Sequence, residues 1–526
     1  MAYTIPPDNR SVGSGNPPAD MNDVSDVLTG SGAGLNVLNT ALAGGADPTG
    51  TADSTAAFQA AIDALPAGGG KIKVPGFVPG TTTPAVYNIN EGALQPVPGM
   101  WLTGDGYGCA TVQSSSNALF QMDQGSGNQL DYVEIDHLTL STTGAFPVFS
   151  GMYVTRSSVH HCYLQAHNAG GAIWYSNSGF GYMAECRFYE NREQVYGTSR
   201  TVPAWYLNAG NTGTLFQVND NHWHDNVCFD NNDDDAQWWY QVIYSGAFSG
   251  VTNNANTFND IVFEFPCGGA IRLESASYTS IERITVEDLA ALTVGSNPMV
   301  SIVKNSGGGA SQANRVRSYS RRGGSNAGIV DIALDSNCVN TLVDSPAQAG
   351  GGTALTINLG SSSDVTAINI PSSAILSGYA GTGAVTAASA GFAPQNPTGT
   401  TSTTQVMMGL GQAGTPWVFT PLGTGIVEII LDGYFLNSTA VADAAVIGGR
   451  YGTGTAPING AAVSGTSFGG NPTLQAASVS RPSAFSFVAR VTMTAGTQYW
   501  IDVALAVLSG TAVVSAVQAT VKELAQ

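Results

Sequence analysis

Charge is scarce in this 526-residue chain: Asp, Glu, Lys and Arg make up 10% of it, against roughly 25% in an average soluble domain. Lysine is scarcest, with four residues (Lys71, Lys73, Lys304 and Lys522), so there is no basic stripe to neutralise phosphates and nucleic acid is not an expected partner. The acids outnumber the bases 37 to 18, and the net charge of -19 repels an anionic polymer wherever the surface is not locally basic. Six cysteines contain no C-x-x-C pair, which points to buried free thiols, not to a zinc site or a disulfide framework. No apolar run approaches the roughly 18 residues of a membrane span. The start, Met1 to Arg10, lacks the basic and apolar blocks of a signal peptide, so neither membrane insertion nor export by that route is expected. The 65 glycines have no three-residue period, which excludes collagen, and 43% hydrophobic residues argue for a folded chain.

What stands in place of charge is Gly, Ser, Thr, Asn and Gln, a mix suited to a β-rich exterior. One helix is expected after Asp53, a capping residue, with Phe58, Ile62 and Leu65 at helical spacing. Beyond Gly68-Gly-Gly70 the pattern turns to short β-type runs, and pairs of positions two apart recur as Leu138/Leu140, Cys162/Leu164, Cys186/Phe188, Asn221/Trp223, Asn256/Phe258 and Ile284/Val286. The steps between second members are 24, 24, 35, 35 and 28 residues, and the shortest, 24, suits one coil of a parallel β-solenoid whose strands stack about 4.8 Å apart. On this register Cys162 and Cys186 stack on one inner face. The two 35-residue steps imply loops near residues 190–215 and 226–255, and such loops are where function tends to sit. A Gly, Thr, Ser and Pro stretch at 384–404 reads as a linker. The alternating runs beyond it read as an antiparallel sandwich.

Gly45-Ala-Asp-Pro-Thr-Gly-Thr-Ala-Asp-Ser-Thr-Ala-Ala-Phe-Gln-Ala-Ala-Ile-Asp-Ala64, followed by Gly68-Gly-Gly-Lys-Ile-Lys-Val-Pro75 and Tyr87-Asn-Ile89, resembles the opening of pectate-lyase-like β-helix proteins, an opening common in bacteriophage tailspikes. The family runs from this Pro almost directly to Tyr, whereas here 76–86 form a longer Pro- and Thr-rich loop. The resemblance implies an all-β chain: a right-handed parallel β-helix with an N-terminal capping helix and a C-terminal antiparallel β-sandwich. The expected domains are a virion-attachment segment at 1–39, the β-helix at 40–383, the linker at 384–404 and a trimerisation or receptor-binding sandwich at 405–526. It further implies a homotrimer in the virion tail, held to tail or baseplate proteins through its N-terminus and directed at a host surface polysaccharide. The matching motif is structural and carries over no catalytic residue.

The chemistry has to be read from the residues. Five of eight tryptophans and fifteen of 37 acids fall between residues 174 and 288. Sugar rings pack on amphipathic aromatic faces, which nominates Trp205, Trp238, Trp239 and Tyr240 as a glycan platform, while Trp223 takes an inner repeat position. Glycoside hydrolysis needs two carboxyl groups roughly 5–9.5 Å apart. Asp225, Asp230 and Asp235 supply them from one insertion and Glu264 and Glu274 from the next coil, with Glu264 expected on the outer face between Phe263 and Phe265. His222 and His224, flanking Trp223, with Arg272, Arg187 or Arg192 to neutralise a uronate, leave a polysaccharide lyase open. A non-catalytic adhesin would use the same aromatic groove. No cofactor is expected. The Asn231-Asn-Asp-Asp-Asp235 run also reads as a solvated turn or a structural calcium loop, although no EF-hand spacing is present.

Overall fold

The computed structural model describes residues 35–123, 129–168, 170–177, 181–196, 202–208, 217–230, 240–244, 253–264, 268–287, 297–304, 310–322, 330–349, 354–360, 365–371, 374–377, 385–412, 417–437, 444–475 and 482–524. The chain divides into two compact units, residues 1–175 with 183–196, and residues 176–182 with 197–526.

The first unit begins with the segment that carries the family resemblance. Asp47 gathers the N–H groups of Thr49, Thr51 and Ala52 at 2.6–2.9 Å, and these bonds, that of Ala52 foremost, lower its carboxyl to about 2. Helix α1 (Thr55–Asp63) follows, with Phe58 and Ile62 buried and Phe58 edge-on to Tyr87 at 5.4 Å. Ser54 occupies the N-cap without a side-chain capping bond. Asp53 Oδ1 instead accepts the Thr55 N–H at 2.8 Å, so the expected acid does meet the helix start.

The chain then winds into parallel coils. A first sheet stacks Leu35–Asn36, Gly70–Lys73, Met100–Thr103, Glu134–Asp136, Ser158–His160 and Arg187–Tyr189. A second stacks Thr49–Asp53, Ala85–Asn88, Ala110–Ser114, Thr139–Thr142, Tyr163–Ala166 and Arg192–Val195. On a third, Phe120, Phe149 and Trp174 form an inner aromatic ladder with centroids 5.5 and 4.8 Å apart. Single residues with positive φ turn the chain at two corners of each coil: Tyr132, Arg156 and Glu185 before the first sheet, His137, His161 and Glu190 after it. Non-glycine residues adopt this conformation at a cost of about 1–2 kcal/mol each, and here the stacking of equivalent corners holds them.

These corners explain why the sequence register fails. Cys162 directly precedes the second-sheet strand Tyr163–Ala166 and donates its N–H to Asn191 Oδ1 at 3.0 Å. Cys186 directly precedes the first-sheet strand Arg187–Tyr189, where Arg187 faces Ser158. The two therefore occupy different faces. Inner positions of the two sheets lie five residues apart around a corner (Val159 and Leu164, Phe188 and Glu193). A 29-residue coil compared across the two sheets consequently mimics a 24-residue one. All the nominated pair positions are nonetheless buried. The expectation of free thiols fits the five described cysteines, none of which is in a disulfide. Burial raises the thiols of Cys162, Cys186 and Cys338 to about 12. At pH 8 these three should resist a thiol reagent until the protein is denatured, as timed absorbance would show; rapid labelling of the native protein at any of them would contradict the packing.

The second unit uses the same device. Its first sheet includes His222–His224, Thr257–Asn259, Ser280–Glu282 and Arg315–Arg317, and its second Val227–Asp230, Val262–Glu264, Thr285–Glu287 and Ser320–Arg322. Trp223 stacks inside on Phe258 at 4.8 Å. Inner asparagines satisfy corner backbone groups: Asn256 Nδ2 donates to Val218 O at 2.6 Å and its Oδ1 accepts from Asn221 Nδ2 at 3.1 Å.

The expected linker at 384–404 contains an 11-residue strand, Val385–Gln395. It pairs in parallel with Val365–Pro371 and antiparallel with Ala512–Glu523. Small residues weaken strand propensity, but partners on both edges override it. Ala512–Glu523 continues to Ile426–Asn437 and Ser483–Thr492. A second antiparallel sheet joins Val406–Met407, Tyr499–Val507, Ala444–Thr453 and Thr466–Phe468, giving the expected two-sheet sandwich.

Asp502 is buried within that second sheet and accepts N–H bonds from Gly409, Leu410 and Val503 at 2.7–3.1 Å. Burial raises its carboxyl to about 6. The folded protein thus holds a proton that the unfolded chain releases near the ordinary aspartate value, so this group's stabilising contribution is present below about pH 4 and is lost as pH rises through about 6. Two pKa units set a ceiling of about 3 kcal/mol. Denaturation followed by Trp500 fluorescence should show this loss between pH 4 and 6 in the wild type and not in Asp502→Asn; parallel curves would contradict it.

Candidate functional site

The second unit spreads the nominated residues apart. Trp205 and Tyr240 are interior, at 1% and 2% exposure; Trp205 packs edge-on to Trp223 at 6.1 Å and Tyr240 edge-on to Phe263 at 5.5 Å. They are core and not a sugar platform, because each begins or directly precedes a third-sheet strand that faces the coil interior. Glu264 is half-buried on the outer side of the second sheet, in register between Phe229 and Glu287. Phe263 points inward as expected. Glu274 lies on the third sheet, where its Oε1 receives Arg272 Nε at 2.7 Å; burial raises its carboxyl and the Arg272 charge opposes that. Glu264 and Glu274 thus sit on different sheets of the coil. Asp225 is an exposed corner residue 2.8 Å from His224 Nδ1, and His222 Nε2 lies 3.5 Å from Asp220. The backbone of Asp230 ends its strand, while its side chain, Asp235, Trp238, Trp239 and the whole 231–235 run lie outside the described residues.

The first unit concentrates chemistry on the outer side of its first sheet. Three successive strands share an outward–inward–outward triplet: Glu134-Ile135-Asp136, Ser158-Val159-His160 and Arg187-Phe188-Tyr189. The middle residues fill the core. The outer ones form two columns, flanked by the corner columns Tyr132, Arg156, Glu185 and His137, His161, Glu190.

Hydrogen bonds and stacking fix this surface. His160 Nε2 faces Glu134 Oε1 at 3.3 Å and Asp136 Oδ2 at 3.9 Å, and its Nδ1 meets His161 Nδ1 at 2.8 Å. His161 Nε2 in turn contacts Glu190. Tyr189 stacks on His160 at 4.5 Å, and His137 on His161 at 4.9 Å. Burial, then the Glu134 charge, raises the Tyr189 phenol. Trp101 Nε1 donates to Asp136 Oδ2 at 3.0 Å, while Lys71 lies 3.8 Å over the Trp101 ring. Arg156 Nε donates to Glu185 at 3.1 Å and its guanidinium lies 5.8 Å from the Tyr132 ring. An open groove of about 660 Å³ adjoins these groups, lined by Gly68, Pro98, Tyr132, Glu134, Arg156 and Ser158. Tyr132 presents its ring there at 59% exposure, and Glu134 belongs both to the groove and to the His160 cluster.

No family model matches the chain, and no curated protein matches it. Solved structures similar to it include the A-module of mannuronan C-5 epimerase AlgE6 from Azotobacter vinelandii (15% identity, 65% of this chain and 93% of that one, TM-score 0.41). ORF18 of Geobacillus virus E2 is similar over 88% of this chain and 76% of its own (11% identity, TM-score 0.43). A mutant tailspike protein of E. coli bacteriophage HK620, in complex with a pentasaccharide, is similar over 90% of this chain and 91% of its own (13% identity, TM-score 0.36). Likeness at this level leaves the chemistry to be read from this chain's own residues.

Proposed function

We propose that this protein is a phage tailspike that binds a host surface polysaccharide along the outer first sheet of its first unit and hydrolyses it in the groove beside Glu134. The observation that carries this reading is the meeting, at one groove, of an exposed aromatic ring (Tyr132), a guanidinium (Arg156) and a carboxylate (Glu134) that is backed by Asp136 and His160. Tyr132 offers a face for sugar C–H groups, and Arg156 donates to ring hydroxyls or a carboxylate. In hydrolysis the bond from the anomeric carbon to the leaving oxygen breaks, water oxygen bonds to that carbon, and the leaving oxygen takes a proton. Glu134, whose side chain is 16% exposed against 4% for Asp136, is the proton donor; Asp136 and His160, within 4.8 Å of it, stand too close to act as the second carboxyl across the sugar and orient the donor instead, and the proton of the water passes to solvent.

The tailspike part of the reading rests on the resemblance over residues 45–89. Assembly as a homotrimer fits the edge strand Ser483–Thr492, whose Val488 is 63% exposed; attachment to the tail through residues 1–34 concerns a segment outside the described residues. Incubation with purified glycan of the host tests the function. New reducing ends without ultraviolet-absorbing unsaturated uronates support hydrolysis, unsaturated ends make the groove a lyase site, and binding without either product makes it an adhesin.

A further inference from the structure

We infer that Phe77 and Tyr107 form a second carbohydrate subsite of the first unit, which takes uncharged sugar units of the polysaccharide proposed to bind in the groove; the identity of the ligand rests on that reading. The two rings are 43% and 56% exposed, and each sits on a turn longer than its equivalents. Later coils pass from the first sheet to the second through His137-Leu138 and His161-Cys162, whereas residues 74–84 and 104–109 make the same passage here.

Backbone hydrogen bonds fix both turns. In the first, Phe77 pairs with Pro84 across a small hairpin, with the Ala85 N–H donating to Gly76 O at 2.8 Å and the Val78 N–H to Thr83 O at 2.9 Å. In the second, the Gly106 N–H donates to His137 O at 3.0 Å and the Gly108 N–H to Thr139 Oγ1 at 2.9 Å, so the loop is tied to the next coil on either side of Tyr107. Asp105 joins the two turns: its Oδ2 accepts the Gly76 N–H at 2.7 Å and its Oδ1 meets the Lys73 ammonium. Rings on backbone held in this way lose little freedom when a ligand covers them, and more of the contact energy is left for binding.

The groove and this pair lie at opposite ends of the same two strands. Gly68 and Gly99 line the groove just before Gly70–Lys73 and Met100–Thr103, and Phe77 and Tyr107 follow shortly after those strands end. A four-residue strand spans roughly 13 Å, a distance that several linked sugar units cross, and the half-buried Trp101 lies between the two ends. A polysaccharide leaving the groove across the first sheet therefore meets the pair.

Chemistry selects the ligand. Asp105 is the single charged residue of the two turns, and it is matched by Lys73, whose ammonium also donates to Gly104 O at 3.3 Å. The pair thus offers a uronate or a phosphate no unmatched cation. It offers instead two aromatic faces for sugar C–H groups and, at the hairpin tip, the exposed Thr81, Thr82 and Thr83 for hydroxyls. Two rings bury at most about 300–500 Å², well short of the roughly 800 Å² per partner of a stable protein interface, so the pair suits a sugar better than a protein surface.

The test uses the full-length protein and oligosaccharides made by partial acid hydrolysis of the host polysaccharide and sorted by length, with affinity read by calorimetry. Phe77→Ala and Tyr107→Ala should each weaken the long oligosaccharides by roughly 3–10-fold and leave the shortest bound fragments unaffected, while Tyr107→Phe, which keeps the ring, should bind as the wild type does. KM for the polysaccharide should rise with kcat unchanged, as for a contact made equally in ground and transition states. Unchanged affinity for long oligosaccharides in the double Ala variant, with Tyr132→Ala weakening them, overturns this subsite while the proposed function stands. Weakening in the double variant, with no effect of Tyr132→Ala and no cleavage, does the reverse. A double variant that changes oligomeric state in sedimentation but not glycan affinity makes the pair a protein contact and overturns the subsite, and a wild type that binds no host glycan overturns both.

Discussion

Glu134→Gln should lower turnover of the host polysaccharide by about 100-fold or more, the usual range for loss of a general acid or base, while oligosaccharide affinity changes little. The substitution keeps an oxygen for His160 and the shape of the groove wall, so the effect is one of proton transfer. Glu264→Gln, on the outer side of the second sheet in the second unit, serves as comparison and should retain near-normal turnover. Reducing-end kinetics on both variants read the outcome. Turnover unaffected in Glu134→Gln and abolished in Glu264→Gln would place the chemistry in the second unit.

The second large effect is structural. Glu523 is fully buried near the chain's end and accepts four backbone N–H groups: Ala388 and Leu422 on Oε2 at 3.0 and 2.7 Å, Gly423 and Gly425 on Oε1 at 2.9 and 2.6 Å. One of these donors lies in Val385–Gln395, the strand that pairs on both edges, so a single carboxylate ties three chain segments together. Glu523→Ala leaves three buried donors, those of Ala388, Leu422 and Gly425, without partners at about 1–3 kcal/mol each, while the exposed Gly423 N–H turns to water, and water entering the space recovers part of the rest. A loss of about 4 kcal/mol or more in chemical denaturation is expected; a loss under about 1 kcal/mol would show that the donors find other acceptors.

The fold class was legible because it depends on local signals. Phe58 and Ile62 at helical spacing mark α1, and buried pairs such as Leu138/Leu140 mark inner positions. Register was not legible, because the left-handed corners at His137 and His161 are occupied by ordinary side chains and leave no glycine to mark the turn. The strand at Val385–Gln395 was hidden for a different reason: its composition is that of a linker, and only its partners make it a strand. The clustering of all six histidines between 137 and 224 was visible, but counting acids drew attention to 185–288. The outward residues of the triplets Glu134-Ile135-Asp136 and Ser158-Val159-His160 come together only through a 24-residue stacking. Aligning triplets within one sheet would have found them. Trp205 and Tyr240 misled because an aromatic beside an insertion looks like a platform until the strand's inner face is known.

The central claim is that the glycan works on the outer first sheet of the first unit, and a crystal structure of Glu134→Gln with an oligosaccharide from the host polysaccharide tests it most directly. The sugar should lie in the groove against Tyr132 and Arg156, with a glycosidic oxygen within hydrogen-bond reach of residue 134. Sugar bound instead along His222, His224 and Glu264, with the groove empty, would contradict it.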